Sequence, residues 1–172
     1  LLGNALLSKN YDVKVSEVHG MSQRGGSVVT YVKYGSKVAS PIVALGEADL
    51  ILSFEQLEAA RWLPYLKKGG TIITNTQKMD PMPVVMGAAE YPHDILDAIR
   101  AKGVNLVAVD ALSMAVEAGS AKAVNVALIG VMARNMDLEK QVWKDTMAAT
   151  VPAKFLELNE KAFELGYGCQ GE

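Results

Sequence analysis

The amino-acid sequence predicts a single α/β domain over residues 1–172, a three-layer α/β/α sandwich built on a mostly parallel, Rossmann-like sheet. Three observations predict it. Short apolar or β-branched runs of about five residues alternate with helical patterns of about ten residues or more, which is typical of parallel strands joined by helices. Half of the residues are apolar and 21% are charged, as in ordinary globular domains. No internal repeat, low-complexity run or linker divides the chain.

The predicted strands are short and rich in β-branched and apolar residues. Residues 28–34 (VVTYVKY) have the clearest strand composition, and residues 50–52 form an apolar run that fits a buried strand. Residues 68–70 are predicted as the turn before the fourth strand. The predicted strands are residues 12–16, 28–34, 50–52, 71–74 and 104–109.

The helices are predicted from apolar residues at helical spacing and from signals at the helix ends. Ser53 is a suitable cap for the second helix, Pro64 ends or bends it, and Pro92 suits the first turn of the next one. Residues 121–132 are apolar on nearly every face and predict a buried helix, in which Gly130 indicates close helix packing. The predicted helices are residues 1–8, 53–64, 92–103, 111–117, 121–132, 138–150 and 152–165, whereas residues 79–83 are expected to be irregular.

Charge and cysteine content exclude several classes of function. The net charge of −2 gives no electrostatic basis for binding nucleic acid or an anionic membrane. The longest apolar run, residues 124–132, is too short to span a bilayer, and no secretory signal is visible. One cysteine, Cys169, cannot form an internal disulfide or hold an iron–sulfur cluster, and the two histidines, His19 and His93, lie in different units, so no metal motif is visible. These observations favour a cytoplasmic protein.

The chain begins at Leu1, inside an apolar stretch with helical spacing and no preceding capping residue. We therefore expect an N-terminal strand and a turn upstream of this first helix. A dinucleotide-type glycine turn would lie in that upstream segment, and none is visible in residues 1–172.

The most informative segment connects the first two predicted strands. Residues 16–28 (SEVHGMSQRGGSV) hold a histidine, an arginine, three glycines and several hydroxyl side chains. Gly25 and Gly26 leave backbone N–H groups uncovered for an anion, and Arg24 adds a planar set of donors that suits phosphate or carboxylate. A simple connection would need only about two to five residues. We predict a loop that binds an anion such as a phosphate or a carboxylate; its residues are Ser16, Glu17, His19, Gly20, Met21, Ser22, Gln23, Arg24, Gly25 and Gly26.

Each residue of this loop also has a simpler interpretation. The glycines can serve turn geometry alone, Arg24 can be a solvated cation, and His19 can pack or hydrogen-bond instead of acting as a base. Glu17 is able to pair with Arg24 across the loop. Ser22 and Ser27 lack the strand–turn–helix geometry of a hydrolase nucleophile, so no catalytic residue is predicted in this chain.

Other polar residues are predicted at the carboxyl edge of the parallel sheet, where such sheets bind ligands. The loop after the first strand, residues 75–77 after the fourth and Asp110 after the fifth are all expected there. Asn75 either holds a turn or touches a ligand. Asn125 lies in the most apolar helix, so its amide is expected to be buried and either to bond a neighbouring loop or to line the ligand site.

Four methionines fall in irregular segments: Met21, Met79, Met82 and Met86. Flexible, polarizable methionine side chains suit an adaptable apolar surface, such as a partner interface or an acyl pocket. Chance placement explains the same pattern nearly as well.

The sequence resembles one family along essentially its whole length. Residues 16–28 resemble the corresponding loop of the gamma-type domain of the 2-oxoacid:ferredoxin oxidoreductases, in the branch of the indolepyruvate ferredoxin oxidoreductase β subunits. The sister domains for pyruvate or 2-oxoglutarate carry a different sequence in this loop. Further matching runs are residues 46–49, 55–70, 89–92 with 94–96, 109–111, 123–126, and 151–152 with 154–159.

This resemblance implies a subunit of an oxidoreductase. In the family, the complex converts an aryl pyruvate, coenzyme A and oxidised ferredoxin into the aryl-acetyl-CoA, carbon dioxide and reduced ferredoxin. Thiamine diphosphate, Mg²⁺ and 4Fe–4S clusters are expected on a large alpha subunit, and no cofactor on this chain. The gamma-type domain is expected to pack on that partner and to shape the approach of CoA or substrate. Through the same face, the isolated chain is able to form a homodimer.

Two alternatives to this function stay open. The chain can belong to a complex that acts on another 2-oxoacid, such as pyruvate, 2-oxoisovalerate or 2-oxoglutarate. It can also be a purely structural module or a free-standing nucleotide-binding module with a Rossmann-like fold.

Overall fold

The structure is a computed structural model, and it describes residues 1–19 and 28–171. The strands are β1 (Asp12–His19), β2 (Val28–Gly35), β3 (Ala48–Ser53), β4 (Leu66–Asn75) and β5 (Asn105–Val109). The helices are α1 (Leu2–Leu7), α2 (Gln56–Trp62), α3 (Met82–Val85), α4 (Ile95–Arg100), α5 (Ala111–Ala118), α6 (Val124–Arg134), α7 (Lys140–Thr150) and α8 (Ala153–Gly168). Two 3₁₀ turns, Leu63–Tyr65 and Ala121–Ala123, follow α2 and precede α6.

A parallel sheet of three strands, in the order β3-β4-β5, forms the central layer of the described residues. Successive side chains of a strand point to opposite faces, so a sheet covered on both sides has apolar residues in consecutive positions. Ile73 belongs to the larger hydrophobic core on one face, and its neighbour Ile72 belongs to a smaller core on the other. This arrangement confirms the predicted helix–sheet–helix layering.

The larger core lies between the sheet and helices α1, α5, α6, α7 and α8. Trp143, Phe163 and Leu128 are fully buried in it. Helix α6 contributes most of its length, which confirms the prediction that this apolar segment is buried. The smaller core joins α2 and α4 to the opposite face of the sheet through Ala59, Ile72, Ile95 and Ile99.

Close packing of α6 on α8 depends on two glycines. A Cβ atom added to Gly130 would lie 2.3 Å from the carbonyl oxygen of Phe163, and one added to Gly166 would lie 1.9 Å from that of Ala127. Both distances are far below van der Waals contact, so the two helix backbones touch at these positions. The close packing predicted at Gly130 is therefore confirmed, and Gly166 is its counterpart on α8.

The first two strands do not lie in the parallel sheet of the described residues. β1 and β2 pair antiparallel as a separate two-stranded sheet, in register from Asp12–Gly35 to His19–Val28. The expectation that the loop after β1 shares the carboxyl edge of the parallel sheet with Asn75 and Asp110 is therefore wrong. Antiparallel neighbours need only a local connection, and strand composition alone does not distinguish them from parallel strands.

Several element boundaries also differ from the sequence prediction. Residues 68–70 are not a turn but part of β4, where the register shifts and Gly69 has a φ of +80°. Ser53 does not cap α2; its hydroxyl donates to the carbonyl of Glu55 at 2.7 Å, and Glu55 is the capping residue. Residues 79–83 were expected to be irregular, but residues 82 and 83 belong to the short helix α3. Helix α4 begins at Ile95, beyond the turn that Pro92 was predicted to start.

Candidate functional site

The root of the β1–β2 hairpin is fixed to the body of the domain. Tyr31 on β2 packs edge-on against Trp62 with ring centroids 6.3 Å apart, and Trp62 packs on Tyr65 at 4.9 Å. Lys33 Nζ lies 3.3 Å from Glu47 Oε2, which lies outside the hairpin. These contacts hold the hairpin at its base.

At the start of β1, a carboxylate ties the hairpin to the chain that follows it. Asp12 accepts a hydrogen bond of 2.8 Å from the backbone N–H of Val38 and one of 2.5 Å from Lys14 Nζ. The hydrogen bond from Lys14 and, to a smaller extent, the one from Val38 lower the pKa of the Asp12 carboxyl.

The outer half of the hairpin is exposed. Val18 and Val28, in the two outermost strand pairs, are 55% and 54% exposed, and Val15, nearer the root, is 53% exposed. Val15 and Val28 lie on one face of the hairpin and Val18 lies on the other, because successive residues of a strand point to opposite faces. Apolar side chains are therefore left in water on both faces of the hairpin.

The predicted loop begins on this outer end. Ser16, Glu17 and His19 are residues of β1; Ser16 is half-buried and the other two are exposed. Glu17 Oε2 lies 3.4 Å from His19 Nε2, so a protonated His19 forms an ion pair on the same face of the strand. The remaining residues of the predicted loop, 20–26, lie outside the described residues, and the proposed Glu17–Arg24 pair stays a prediction.

Asn75 joins three loops at the carboxyl edge of the parallel sheet. Its side chain is fully buried. The amide Nδ2 donates to the carbonyl of Phe54 at 3.2 Å and to Gln77 Oε1 at 3.3 Å, and Oδ1 accepts from the N–H of Ala111 at 3.1 Å. Because buried amide groups need such partners, these bonds support the turn-holding interpretation of Asn75, and its contact with a ligand stays a prediction.

The other two polar residues singled out from the sequence lie at helix starts. Asn125, the second residue of α6, is exposed, so the expectation of a buried amide is wrong. Asp110 caps α5 by accepting from the N–H of Ser113 at 2.9 Å and from its hydroxyl at 2.6 Å. The bonds from the Ser113 hydroxyl and N–H lower the pKa of Asp110.

A buried carboxylate, Glu55, was not recognised from the sequence. It accepts from the N–H groups of Leu57 at 2.9 Å and Glu58 at 2.5 Å, which caps α2, and from the hydroxyl of Tyr91 at 2.8 Å. Tyr91 therefore ties the long connection between β4 and α4 to the start of α2. Sequence offers no signal for this pair, because its members are 36 residues apart.

Replacing Tyr91 by phenylalanine is expected to change the response of stability to alkaline pH. Burial and, after it, the hydrogen bond to Glu55 raise the pKa of Tyr91. The neutral hydroxyl is thus favoured in the fold, so its contribution to stability is complete below about pH 10 and is lost as the pH rises further. Unfolding by urea at pH 8 and pH 10.5 should show a smaller alkaline loss for Tyr91→Phe than for the wild-type chain. An equal loss in both proteins would contradict the assignment.

Within residues 1–19 and 28–171, no three His, Cys, Asp or Glu side chains are grouped so that they could hold a metal ion. A shallow depression of 420 Å³ lies between α1 and α7 and is lined by none of the predicted loop residues. In the same part of the chain, no helix has the length and apolar character needed to cross a membrane.

The fold is an α/β/α domain, and its hairpin carries exposed apolar side chains. This combination is typical of the class of proteins that act as subunits of a larger assembly. The family model described as pyruvate ferredoxin/flavodoxin oxidoreductase matches residues 1–169. The chain belongs to this family.

Curated relatives agree with this membership and with the resemblance noted in the sequence. The chain is 44% identical to indolepyruvate oxidoreductase subunit IorB of Thermococcus kodakarensis, over 96% of this chain and 85% of the relative. It is equally 44% identical to subunit IorB of Pyrococcus horikoshii, with the same two coverages. These relatives confirm the prediction that the chain is a subunit of a 2-oxoacid:ferredoxin oxidoreductase.

Solved structures confirm the fold. The gamma subunit of the keto/oxoacid ferredoxin oxidoreductase from Geobacter sulfurreducens aligns with a TM-score of 0.68 at 20% identity, over 96% of this chain and 85% of that one. The 2-oxoglutarate:ferredoxin oxidoreductase of Magnetococcus marinus also aligns with a TM-score of 0.68, at 17% identity, over 95% of this chain but 26% of that chain. In the latter protein, this fold is one part of a much longer polypeptide.

Proposed function

We propose that this chain is the small subunit of an indolepyruvate-type 2-oxoacid:ferredoxin oxidoreductase. The proposed reaction of the assembled complex oxidises and decarboxylates an aryl pyruvate, joins the acyl group to CoA and passes the electrons to ferredoxin. One observation carries the choice of substrate branch. Identity is 44% to the IorB subunit of Thermococcus kodakarensis but 23% to the common gamma subunit of the pyruvate/ketoisovalerate oxidoreductases of the same organism.

The proposal divides the chemistry between two polypeptides. A 4Fe–4S cluster needs four cysteine thiolates, and this chain contains one cysteine, Cys169. Thiamine diphosphate, Mg²⁺ and the clusters are therefore assigned to the large alpha subunit, which also delivers electrons to ferredoxin. Residues 1–172 act as one domain of a cytoplasmic complex. The role of this chain is to bind and orient, and no bond of the substrate is broken by its side chains.

The connection between β1 and β2 is proposed as the anion site. Arg24 and the N–H groups of Gly25 and Gly26 would meet a phosphate of CoA or the carboxylate of the 2-oxoacid. The two residues that flank this connection support the proposal, because His19 and Val28 are both exposed and form the outermost pair of a hairpin whose root is fixed. A site at this position can be reached by a substrate held on another subunit.

A second candidate function for the same hairpin is docking alone. The exposed side chains of Val15, Val18 and Val28 favour it, because apolar groups contribute more to a protein contact than to the binding of an anion. In that case, removing the charge of Arg24 would weaken assembly with the large subunit and leave the kinetic constants of the assembled fraction unchanged.

The proposed substrate class is tested by the co-expressed complex of this chain and its large subunit. CoA-dependent reduction of ferredoxin is measured with indolepyruvate, phenylpyruvate, pyruvate and 2-oxoglutarate in turn. We expect kcat/KM to be highest for the two aryl pyruvates. The large subunit expressed alone serves as the control for the contribution of this chain. Preference for pyruvate or 2-oxoglutarate would overturn the assignment to the indolepyruvate branch.

A further inference from the structure

The edge of the parallel sheet at β5 has main-chain groups that point away from the sheet. Within the described residues, β5 pairs with β4 alone, so its other side has no neighbouring strand. The N–H of Thr76, just beyond β4, donates to Val109 O at 2.9 Å, so the Val109 carbonyl points toward β4. Because main-chain groups of successive residues point to opposite sides of a strand, those of Ala108 point to the free side. Ala108 is nevertheless fully buried.

The segment that follows α8 lies against this free side. A Cβ atom added to Gly171 would lie 3.4 Å from Ala108 O and 2.6 Å from Val107 Cγ1, so the glycine backbone is in close contact with the last part of β5. Gly171 has a φ of +68°, a conformation that glycine adopts without strain. Asn105, at the other end of β5, is exposed. We call residues 169–171 the strap, and it covers the carboxyl half of the edge.

Arg134, the last residue of α6, holds the start of the strap. Its Nη1 donates to the carbonyl oxygens of Tyr167 at 3.5 Å, Gly168 at 3.3 Å and Cys169 at 3.2 Å. A cation at this position also suits the carbonyl end of α8. The Cys169 side chain packs against the larger core, and its Sγ accepts from the N–H of Gly171 at 3.4 Å. The strap is therefore attached to the domain before it reaches β5.

We propose that the strap shields the free edge of β5 and prevents this edge from pairing with the same edge of a second copy of the chain. An uncovered strand edge is a template for pairing with another chain, and natural proteins cover such edges. Residues 105–109 (NLVAV) carry no charged side chain that would repel another strand. Two identical edges related by a twofold axis pair antiparallel, so each copy supplies the donors and acceptors that the other needs.

The first test compares hydrogen exchange in Gly171→Val and Gly103→Val, each in the full chain. In Gly171→Val, a β-branched side chain at positive φ would overlap Val107, so the strap should leave β5. Gly103 has a similar φ of +70°, but a Cβ added there meets nothing within 4 Å, so Gly103→Val adds backbone strain alone. We expect the amide hydrogen of Ala108 to exchange at least about tenfold faster in Gly171→Val and at the wild-type rate in Gly103→Val.

The second test measures self-association by analytical ultracentrifugation over a range of protein concentrations. We expect Gly171→Val to associate at concentrations at least about tenfold below those of the wild-type chain and of Gly103→Val. Arg134→Gln keeps a polar side chain but removes the charge-assisted hydrogen bonds to the start of the strap. It should therefore change the exchange rate of Ala108 and the association in the same direction as Gly171→Val, by a smaller factor.

Three outcomes would overturn the proposed role of the strap. Wild-type exchange of the Ala108 amide in both Gly171→Val and Arg134→Gln would mean that the strap does not cover the edge. Faster exchange without stronger association would mean that the covered edge does not pair with a second copy. Association of Gly103→Val as strong as that of Gly171→Val would assign the effect to backbone strain and not to the loss of the strap.

Discussion

Gly166→Ala is expected to destabilise the protein by about 3 kcal/mol or more, at the upper end of the cost of overpacking a core. The added Cβ would lie 1.9 Å from the carbonyl oxygen of Ala127 and 2.8 Å from its carbonyl carbon. Both are main-chain atoms of α6, so no side-chain rotation can relieve the overlap. Helix α8 must move away from α6, and the larger core between them opens. The gain in helix propensity from glycine to alanine, about 1 kcal/mol, is smaller than this cost.

The measurement is equilibrium unfolding in urea, with Gly168→Ala as the matched control. Gly168 is the last residue of the same helix, and a Cβ added there meets nothing within 4 Å. We expect Gly168→Ala to unfold at the wild-type urea concentration or slightly above it. Equal midpoints for Gly166→Ala and Gly168→Ala would show that the two helices are not in backbone contact.

Asn75→Asp is expected to cost about 3 kcal/mol or more at neutral pH, the range found when a buried charge lacks a partner. The new carboxylate could still accept from the N–H of Ala111, but it would face the backbone carbonyl of Phe54, an acceptor that now receives a hydrogen bond from Asn75 Nδ2. The fold therefore favours the protonated acid and raises the pKa of the new side chain above its unfolded value of about 3.9. Stability then falls as the pH rises from about 4 through the folded pKa.

Urea unfolding at pH 5 and pH 7.5 checks this expectation, and Asn125→Asp provides the control. Asn125 is exposed in the first turn of α6, where a carboxylate is neutral or slightly favourable. We expect Asn125→Asp to stay within about 0.5 kcal/mol of the wild-type chain at both pH values. Wild-type stability of Asn75→Asp at pH 7.5 would mean that Asn75 does not hold the three loops together.

Local sequence signals predicted the elements whose causes are local. The β-branched composition of residues 28–34 predicted β2, and the apolar character of residues 121–132 predicted the buried helix α6. The helix predicted over residues 111–117 is α5, and Gly119, with a φ of +119°, follows its last residue. In each case the residues that cause the structure lie within or beside the element that they form.

The features that the sequence did not predict depend on distant residues. β1 pairs antiparallel with β2. Several predicted strands have a similar composition, so the pairing depends on tertiary packing and not on the local sequence. Asn75 bonds to residues 21 and 36 positions away, which no spacing rule connects. Asn125 was expected to be buried because its helix is apolar on nearly every side; such a pattern does not reveal which side meets water. The loop of residues 16–26 was predicted as a site from its composition, and this assignment stays a prediction.

The connection between β1 and β2 is proposed to bind an anionic group of the reactants, and the proposed large subunit to perform the chemistry. The most direct measurement is the KM for CoA and for the 2-oxoacid in the fully assembled complex carrying Arg24→Ala. Arg100→Ala, which removes an exposed arginine paired with Asp97 on α4, is the control. Loss of a charge-assisted hydrogen bond, about 1.5–3 kcal/mol, predicts a rise of roughly tenfold or more in one of the two KM values with little change in kcat. Unchanged KM values for both reactants in a fully assembled Arg24→Ala complex would contradict the claim.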